Sequence, residues 1–434
     1  MEIDSGNTAW ILTSAALVLL MTPGLAFFYG GMSRAKSVLN MMMMSFVSMS
    51  VAAMVWVLWG YSVAFGSDGG IPALFGGLDA WGVVGLEATG DGHPDLAFVA
   101  FQATFAIITV ALISGAIADR AKFLTWVIFI PIWLTLVYLP IAHWVWYASA
   151  DGESAGWIAD LGAIDFAGGT VVHINAGCAA LALALVIGKR KGWPKEPMRP
   201  HNLPFVLLGA GLLWFGWFGF NGGSALAAND QAALAFLNTI VATGAAGFGW
   251  ILVEKFRDGA PTTLGIASGI VAGLVAITPA AAAMTPLGAL VLGLVAGAIC
   301  AVAVGLKYKL GYDDSLDVVG VHLVGGVIGA LAIGIWGSAA FGADSILAGG
   351  GVSLLGKQAL AVVATLAYSF IVTFIIGKVL DLTLGFRVDE EAEVSGIDLA
   401  EHAETAYDFG PSTSGGRSGA PAPVSADTKV EADA

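Results

Sequence analysis

Two histidines in apolar surroundings, His173 and His322, are the residues of this 434-residue chain best suited to chemistry. Each closes a short pattern: Asp165, Gly168 and His173 in one segment, Asp317, Gly320 and His322 in another. An ionisable group inside a long apolar run is costly and points to function unless a structural partner explains it. A pair of neutral imidazoles sharing a hydrogen bond would offer a donor and an acceptor in an apolar lumen, enough to handle a small polar molecule and relay a proton. The alternative is two buried histidines bonding neighbouring carbonyls. No third His, Cys or carboxylate is spaced to complete a metal site, so neither a metal nor a cofactor is expected. Asp165 reads as an N-cap for the segment it opens, or as a counter-charge for a nearby cation. Asp317 is expected to cap its own segment in the same way.

An aromatic set accompanies the histidines. Phe105 and Phe220 fall inside apolar runs, and Trp146 and Ser224 fall near the ends of theirs. Counting about 1.5 Å of rise per residue places Trp146 and Ser224 shallowest, then Phe220, then His173 near mid-membrane. The face of Trp146 could hold a cation, worth about 2 kcal/mol when desolvated. It could equally serve as an anchor at the membrane interface.

The elements that must position these residues are membrane spans. Hydrophobic residues make up 57% of the chain and charged ones only 12%, with a mean hydropathy of +0.83. Soluble domains carry roughly 25% charged residues, so a core this apolar could not be covered in water. Apolar runs at 9–29, 38–65, 95–117, 124–145, 166–188, 203–226, 232–253, 264–283, 286–306, 318–337 and 357–381 predict eleven transmembrane helices, an all-α polytopic membrane protein. The acidic start and the lack of a clean cleavage site make the first run a span rather than a signal peptide. Cys178 and Cys300 lie in apolar runs and read as small buried hydrophobes, not a disulfide or metal pair.

Of the 18 Lys and Arg, 13 sit in alternate loops: Arg34 and Lys36, Arg120 and Lys122, the 189–199 group, Lys255 and Arg257, and Lys307 and Lys309. Basic residues stay on the cytoplasmic side, which puts the N-terminus outside and the C-terminus inside. The opposite loops carry Asp68, Asp79, Glu87, Asp91, Asp151, Glu153, Asp160, Asp230 and Asp344. Such a mouth would concentrate cations, and would also serve solubility. A formal net charge of −14 argues against nucleic acid as a partner.

Gly24-Leu25-Ala26-Phe27-Phe28-Tyr29-Gly30-Gly31 in the first span echoes Gly216-Trp217-Phe218-Gly219-Phe220-Asn221-Gly222-Gly223 in the sixth, and the two Asp–Gly–His patterns lie in the fifth and tenth. Matching elements five spans apart have opposite orientations, so spans 1–5 and 6–10 are expected to form an inverted repeat with the substrate path between them. A membrane domain over residues 1–386 would be followed by a segment at 387–409, acidic with enough apolar residues to dock on the inner face. Residues 410–434 are rich in Gly, Ser, Pro and Ala and are expected to be a disordered tail.

Together these residues resemble the ammonium transporter family (Amt/Mep/Rh), in its bacterial and archaeal Amt branch, over about residues 8–409. The resemblance is carried by Asp165-Phe166-Ala167-Gly168-Gly169-Thr170-Val171-Val172-His173, Gly216-Trp217-Phe218-Gly219-Phe220-Asn221 and Asp317-Val318-Val319-Gly320-Val321-His322. It implies a homotrimer in the lipid of the cell membrane with one pore in each subunit, carrying ammonium or methylammonium. Trp146, Phe105 and Ser224 would recruit the ion, with Asp165 beneath them. Phe105 and Phe220 would form a gate, and His173 and His322 would line the pore. The cytoplasmic segment, with Asp381-Leu382-Thr383 and Glu401-His402-Ala403, would meet a PII-type signal protein. The stretch between Trp146 and Asp165 is longer than in compact members. The competing reading is an ammonium sensor signalling through its cytoplasmic tail. An intramembrane protease is disfavoured, since neither a Gly-x-Ser-x-Gly nor a His-Glu-x-x-His element is present.

Overall fold

The computed structural model describes residues 3–66, 69–86, 93–149 and 152–407. Asp68, Glu87, Asp91, Asp151 and the 410–434 tail lie outside the described residues. Among the described residues the chain is helix and loop, with isolated β-bridges only.

Among the described residues, eleven helices are long and apolar enough to cross a membrane. They are α1 (Ser5–Met32), α2 (Val38–Phe65), α3 (Asp95–Ile117), α4 (Phe123–Trp146), α5 (Gly169–Ile187) and α6 (Leu203–Gly222), then α7 (Asp230–Arg257), α8 (Thr263–Ala280), α9 (Pro286–Leu310), α10 (Val319–Trp336) and α11 (Ser353–Thr383). All eleven expected spans are present, with ends shifted by a few residues. The chain alternates between an acidic face, holding the N-terminus and the 147–168 loop, and a basic face, holding the 188–202 loop and the residues after α11.

The first helix of each half packs against the other. A Cβ on Gly209 of α6 would lie 2.3 Å from the backbone nitrogen of Phe28 in α1, so only glycine lets these two backbones touch. The wall of α5 likewise meets the start of α10. In α5, 89% of the apolar stretch is buried, against 33% for α11. The centre of the bundle is therefore the α5 region, and α11 lies at its outside.

Five spans contain a widened π-helical turn: Trp56–Gly60, Leu134–Tyr138, Gly169–Ile174, Phe218–Gly222 and Val319–Leu323. Such turns insert a residue into the helical ladder and re-aim side chains. Three of them carry His173, Phe220 and His322.

Past α11 the chain folds back onto the basic face. Lys122 N–H donates to Phe386 O at 3.0 Å and Val388 N–H to Arg120 O at 3.0 Å. Two short helices follow, α12 (Glu390–Ser395) and α13 (Ile397–His402).

Candidate functional site

The site starts at the turn before α5. The Asp165 carboxylate accepts from the backbone N–H groups of Gly168 (2.9 Å), Gly169 (2.5 Å), Thr170 (2.7 Å) and Val171 (3.2 Å), and from the Thr170 hydroxyl. A carboxylate has about four lone-pair positions, so five donors fill it. Asp165 thus pins the start of the helix. The turn closes through Gly168 at φ 111°, where a Cβ would also fall 2.6 Å from Val172 Cγ2.

The same turn fixes Trp146 at the end of α4, whose indole N–H donates to the Asp165 carbonyl at 3.0 Å. With its polar edge held, the indole has its π face left to offer. That face belongs to a cavity of about 150 Å³ on the acidic face, lined by Phe65, Phe98, Phe101, Gln102, Phe105, Trp146, Phe166, Ser224 and Leu226. The Ser224 hydroxyl donates to Phe220 O at 2.8 Å. Its hydrogen being committed, Ser224 presents lone pairs, which suit a guest that brings N–H donors.

Phe105 meets Trp146 edge-on, with centroids 5.7 Å apart and planes at 89°, and stacks on Phe220 at 4.3 Å and 26°. Both Phe rings are buried to within 1% exposure, so the stack forms the floor of the cavity. Beyond it, His173 lies 6.0 Å from Phe220, and its ring faces His322 at 5.4 Å. The two Nδ1 atoms are 3.3 Å apart. One must donate and the other accept, so two neutral rings leave one Nε2 as an acceptor and the other as a donor. His173 Nε2 is buried and has no partner among the described residues.

The structure brings Trp146, Phe105, Ser224, Phe220, His173 and His322 into one continuous row of contacts, with Asp165 at its head. It corrects the expectation for Asp317. The residue that caps α10 is Asp314, which accepts from Val318 N–H at 3.1 Å and Val319 N–H at 2.8 Å. Asp317 instead pairs with Lys307 at 2.7 Å. The register explains the difference. Asp165 precedes His173 by eight residues, and Asp314 precedes His322 by eight. Asp317 then occupies the position of Gly168, and like it has a positive φ, 64°.

Sequence reasoning also missed Trp217, whose ring lies against His173 at 5.4 Å and 19°. The aromatic cluster around it in the sixth span carried the signal. It further counted Arg120 and Arg190 as loop cations, whereas both are buried. Arg120 donates to the carbonyls of Gly188, Ala116, Ala118 and Asp313 and to Ser315. Burial pushes its pKa down to about 10 despite the nearby Asp313. Arg190 pairs with Asp119 at 3.0 Å and Asp313 at 2.9 Å. Burial works against the charge on Asp119, but Arg190 and Arg34 outweigh it and hold the carboxyl below its ordinary value. Asp119 and Asp313, each next to one of these arginines in space but far from it in sequence, gave no local sign of the pairing.

Three comparisons place this arrangement among known proteins. The model of the Ammonium Transporter Family matches residues 9–407. The ammonium transporter of Mycobacterium tuberculosis is 55% identical over 435 residues, covering 94% of this chain and 91% of that one. The crystal structure of Saccharomyces cerevisiae Mep2 superposes with a TM-score of 0.82 at 36% identity, over 90% of this chain and 89% of that one. A structure named Sensor Amt Protein superposes with a TM-score of 0.84 at 30% identity, over 92% and 98%.

Proposed function

The chain belongs to the ammonium transporter family as a multi-pass protein of the cell membrane, and from that premise we propose that it recruits ammonium at the Trp146 cavity, removes one proton, and conducts ammonia along the histidine pair. The observation that carries this reading is the unbroken succession of rings from Trp146 through Phe105 and Phe220 to His173 and His322.

Each step follows from the charge of the guest. Ammonium at the cavity gains the π face of Trp146 and Phe105 and a lone pair of Ser224, about 2 kcal/mol for a desolvated cation over an indole. Taking the ion into the apolar lumen would cost far more than such contacts return, whereas neutral ammonia crosses at small cost. The proton is therefore given up to water in the cavity above the Phe105–Phe220 stack, with or without a separate relay inward, and the rings swing aside for the neutral molecule. Ammonia then finds one donor and one acceptor Nε2 on the histidine pair. Sodium and potassium have no proton to lose and stay outside.

The acidic face is outward and the basic face, with the chain beyond α11, is cytoplasmic. The working unit is a homotrimer, and the cytoplasmic face with α12 and α13 is where a PII-type protein would dock. The likeness to a sensor supports a second reading, in which ammonium is bound and reported with little transport.

The test is current from purified protein on a supported membrane after an ammonium pulse, with uptake of ammonia into pH-reporting vesicles beside it. An ammonium- and methylammonium-specific signal that His173→Ala abolishes, and that Trp146→Ala weakens at low ammonium, supports the reading. Ammonium binding without signal in either assay favours the sensor.

A further inference from the structure

The histidine pair bonds to itself, and among the described residues no other hydrogen bond fixes the plane of His173. What faces that ring is Trp217, nearly parallel at 19° and 2% exposed. A bare indole face could slide or tilt. Here it is tied, because Trp217 Nε1–H donates to Thr278 Oγ1 at 2.8 Å, and that hydroxyl donates in turn to Leu274 O at 2.8 Å. Thr278 is fully buried. Its one hydrogen is spent on the helix carbonyl, so its oxygen can only accept from the indole, and the direction of the chain is fixed.

Thr278 also stands where α8 tightens into a last turn, Thr278–Ala280. The next residue, Pro279, lies directly on the start of α5. A Cβ on Gly169 would be 2.4 Å from Pro279 Cβ, and Phe166 N–H donates to Pro279 O at 3.1 Å. The end of α8 therefore touches both things that orient His173: the widened turn that carries it and the aromatic wall behind it.

We propose that Thr278 is a positioning residue for His173, acting through Trp217 to hold the imidazole in the plane that keeps its Nδ1 on His322 and its Nε2 in the path. The proposal rests on the conduction reading, and it sets the rate of passage rather than recruitment, because neither Thr278 nor Trp217 lines the Trp146 cavity. A Thr278→Val variant keeps the shape and removes the acceptor, leaving the indole N–H unpaired. A Thr278→Ser variant keeps the hydroxyl.

Both variants, Trp217→Phe and the Thr278→Val/Trp217→Phe double variant are compared with wild type in the vesicle uptake assay, with the folded fraction measured by size-exclusion chromatography. One lost buried hydrogen bond is worth about a factor of ten, so Thr278→Val should lower maximal uptake about tenfold, with half-saturation moved less than about twofold. Thr278→Ser should remain close to wild type, and the double variant should be no worse than Trp217→Phe alone, as expected when two residues act through one bond. A readout independent of transport is the 15N imidazole spectrum of the pair, which should change in Thr278→Val and not in Thr278→Ser. Uptake by Thr278→Val equal to wild type per folded protein, equal losses in the Val and Ser variants, or an unchanged imidazole spectrum would each overturn the proposal. Absence of uptake in wild type itself would fault the conduction reading, and the spectrum would then decide the positioning alone.

Discussion

The two halves of the molecule reach their histidines by the same device and finish it differently. In each, an aspartate eight residues upstream caps a span, a residue of positive φ follows three positions later, and a widened turn carries the imidazole. At Asp165 the carboxylate has five donors, four of them backbone amides. At Asp314 it has two. Burial raises the Asp314 carboxyl to about 6, with Lys307 opposing the rise and Asp317 adding to it. The plan that supplies a carboxylate filled with donors beside Trp146 on the acidic face supplies a buried carboxyl with two donors on the basic face. Inverting a fold preserves the backbone device but not the solvation of its ends.

Breaking the two caps is expected to have the largest effect, and an unequal one. Asp165→Ala orphans four amides and frees the carbonyl that orients Trp146. Hydrogen bonds to a charged group are worth about 1.5–3 kcal/mol each, and even with strong non-additivity the variant should lose its folded form or most of its thermal stability in detergent. Asp314→Ala should cost about half as much. Equal losses in thermal unfolding would mean that the donor count does not measure the difference between the halves.

The next effect is in pH. A carboxyl whose folded pKa is raised binds its proton more tightly in the native state, so native stability falls as pH rises from about 4 to about 6 and is level above that, by on the order of 3 kcal/mol for a two-unit shift. Asp314→Asn removes this slope. Its stability deficit relative to wild type should therefore shrink between pH 4 and pH 7. A deficit that grows over that interval would show the Asp314 carboxyl to be stabilised as the anion.

A smaller effect sharpens the register. Gly168→Ala forces a Cβ into a left-handed position already crowded by Val172, for a loss of about 1–2 kcal/mol from the backbone alone. Asp317→Asn leaves the backbone at ease, since Asn tolerates this conformation, and should act instead through Lys307, which loses its ion pair. Thermal unfolding of each variant across salt separates the two: salt should leave the Gly168 loss unchanged.

Much of this was legible in the residues. The eleven spans stood out because lipid demands unbroken apolar length, and the histidine pair because ionisable groups in those spans are so few. The repeat was legible too, but its register slipped. Matching Gly168 to Gly320 rested on residue type, whereas the backbone demands a left-handed residue at Gly168 and at Asp317, and glycine is only one way to supply it. The spacing of eight from carboxylate to histidine held the right answer. Trp217 lay in a quoted motif and passed unread because an aromatic at mid-span is commonly packing, and its role depends on Thr278, 61 residues away. Arg120 and Arg190 fell in loops by any charge count, and only the fold shows that carbonyls and Ser315 hold the first inside and that Asp119 and Asp313 pair with the second.

The halves differ also in who caps their spans, and here the smallest effect makes the finest test. In the second half, α7 and α9 carry their own caps, Asn229 accepting from Ala232 N–H and Thr285 from Gly288 N–H. Their counterparts five spans earlier do not: neither Ser37 before α2 nor Lys122 before α4 caps with its side chain. Those amides are served from beyond α11. Asp398 accepts from Leu39 N–H at 3.0 Å and Asn40 N–H at 2.8 Å, and Glu401 from Phe123 N–H at 3.0 Å. An N-cap is worth about 1 kcal/mol, so Asp398→Ala and Glu401→Ala should each cost about that much, similar to Thr285→Ala. The distinction lies in place. Removing residues 387–407 should speed amide hydrogen exchange in the first turns of α2 and α4 while leaving those of α7 and α9 unchanged, because only the first half borrows its caps. Faster exchange at all four helix starts, two on each face, would mean that the segment steadies the bundle as a whole. Confined to α2 and α4, it would show that the second half stands on its own side chains and the first is completed by the end of the chain.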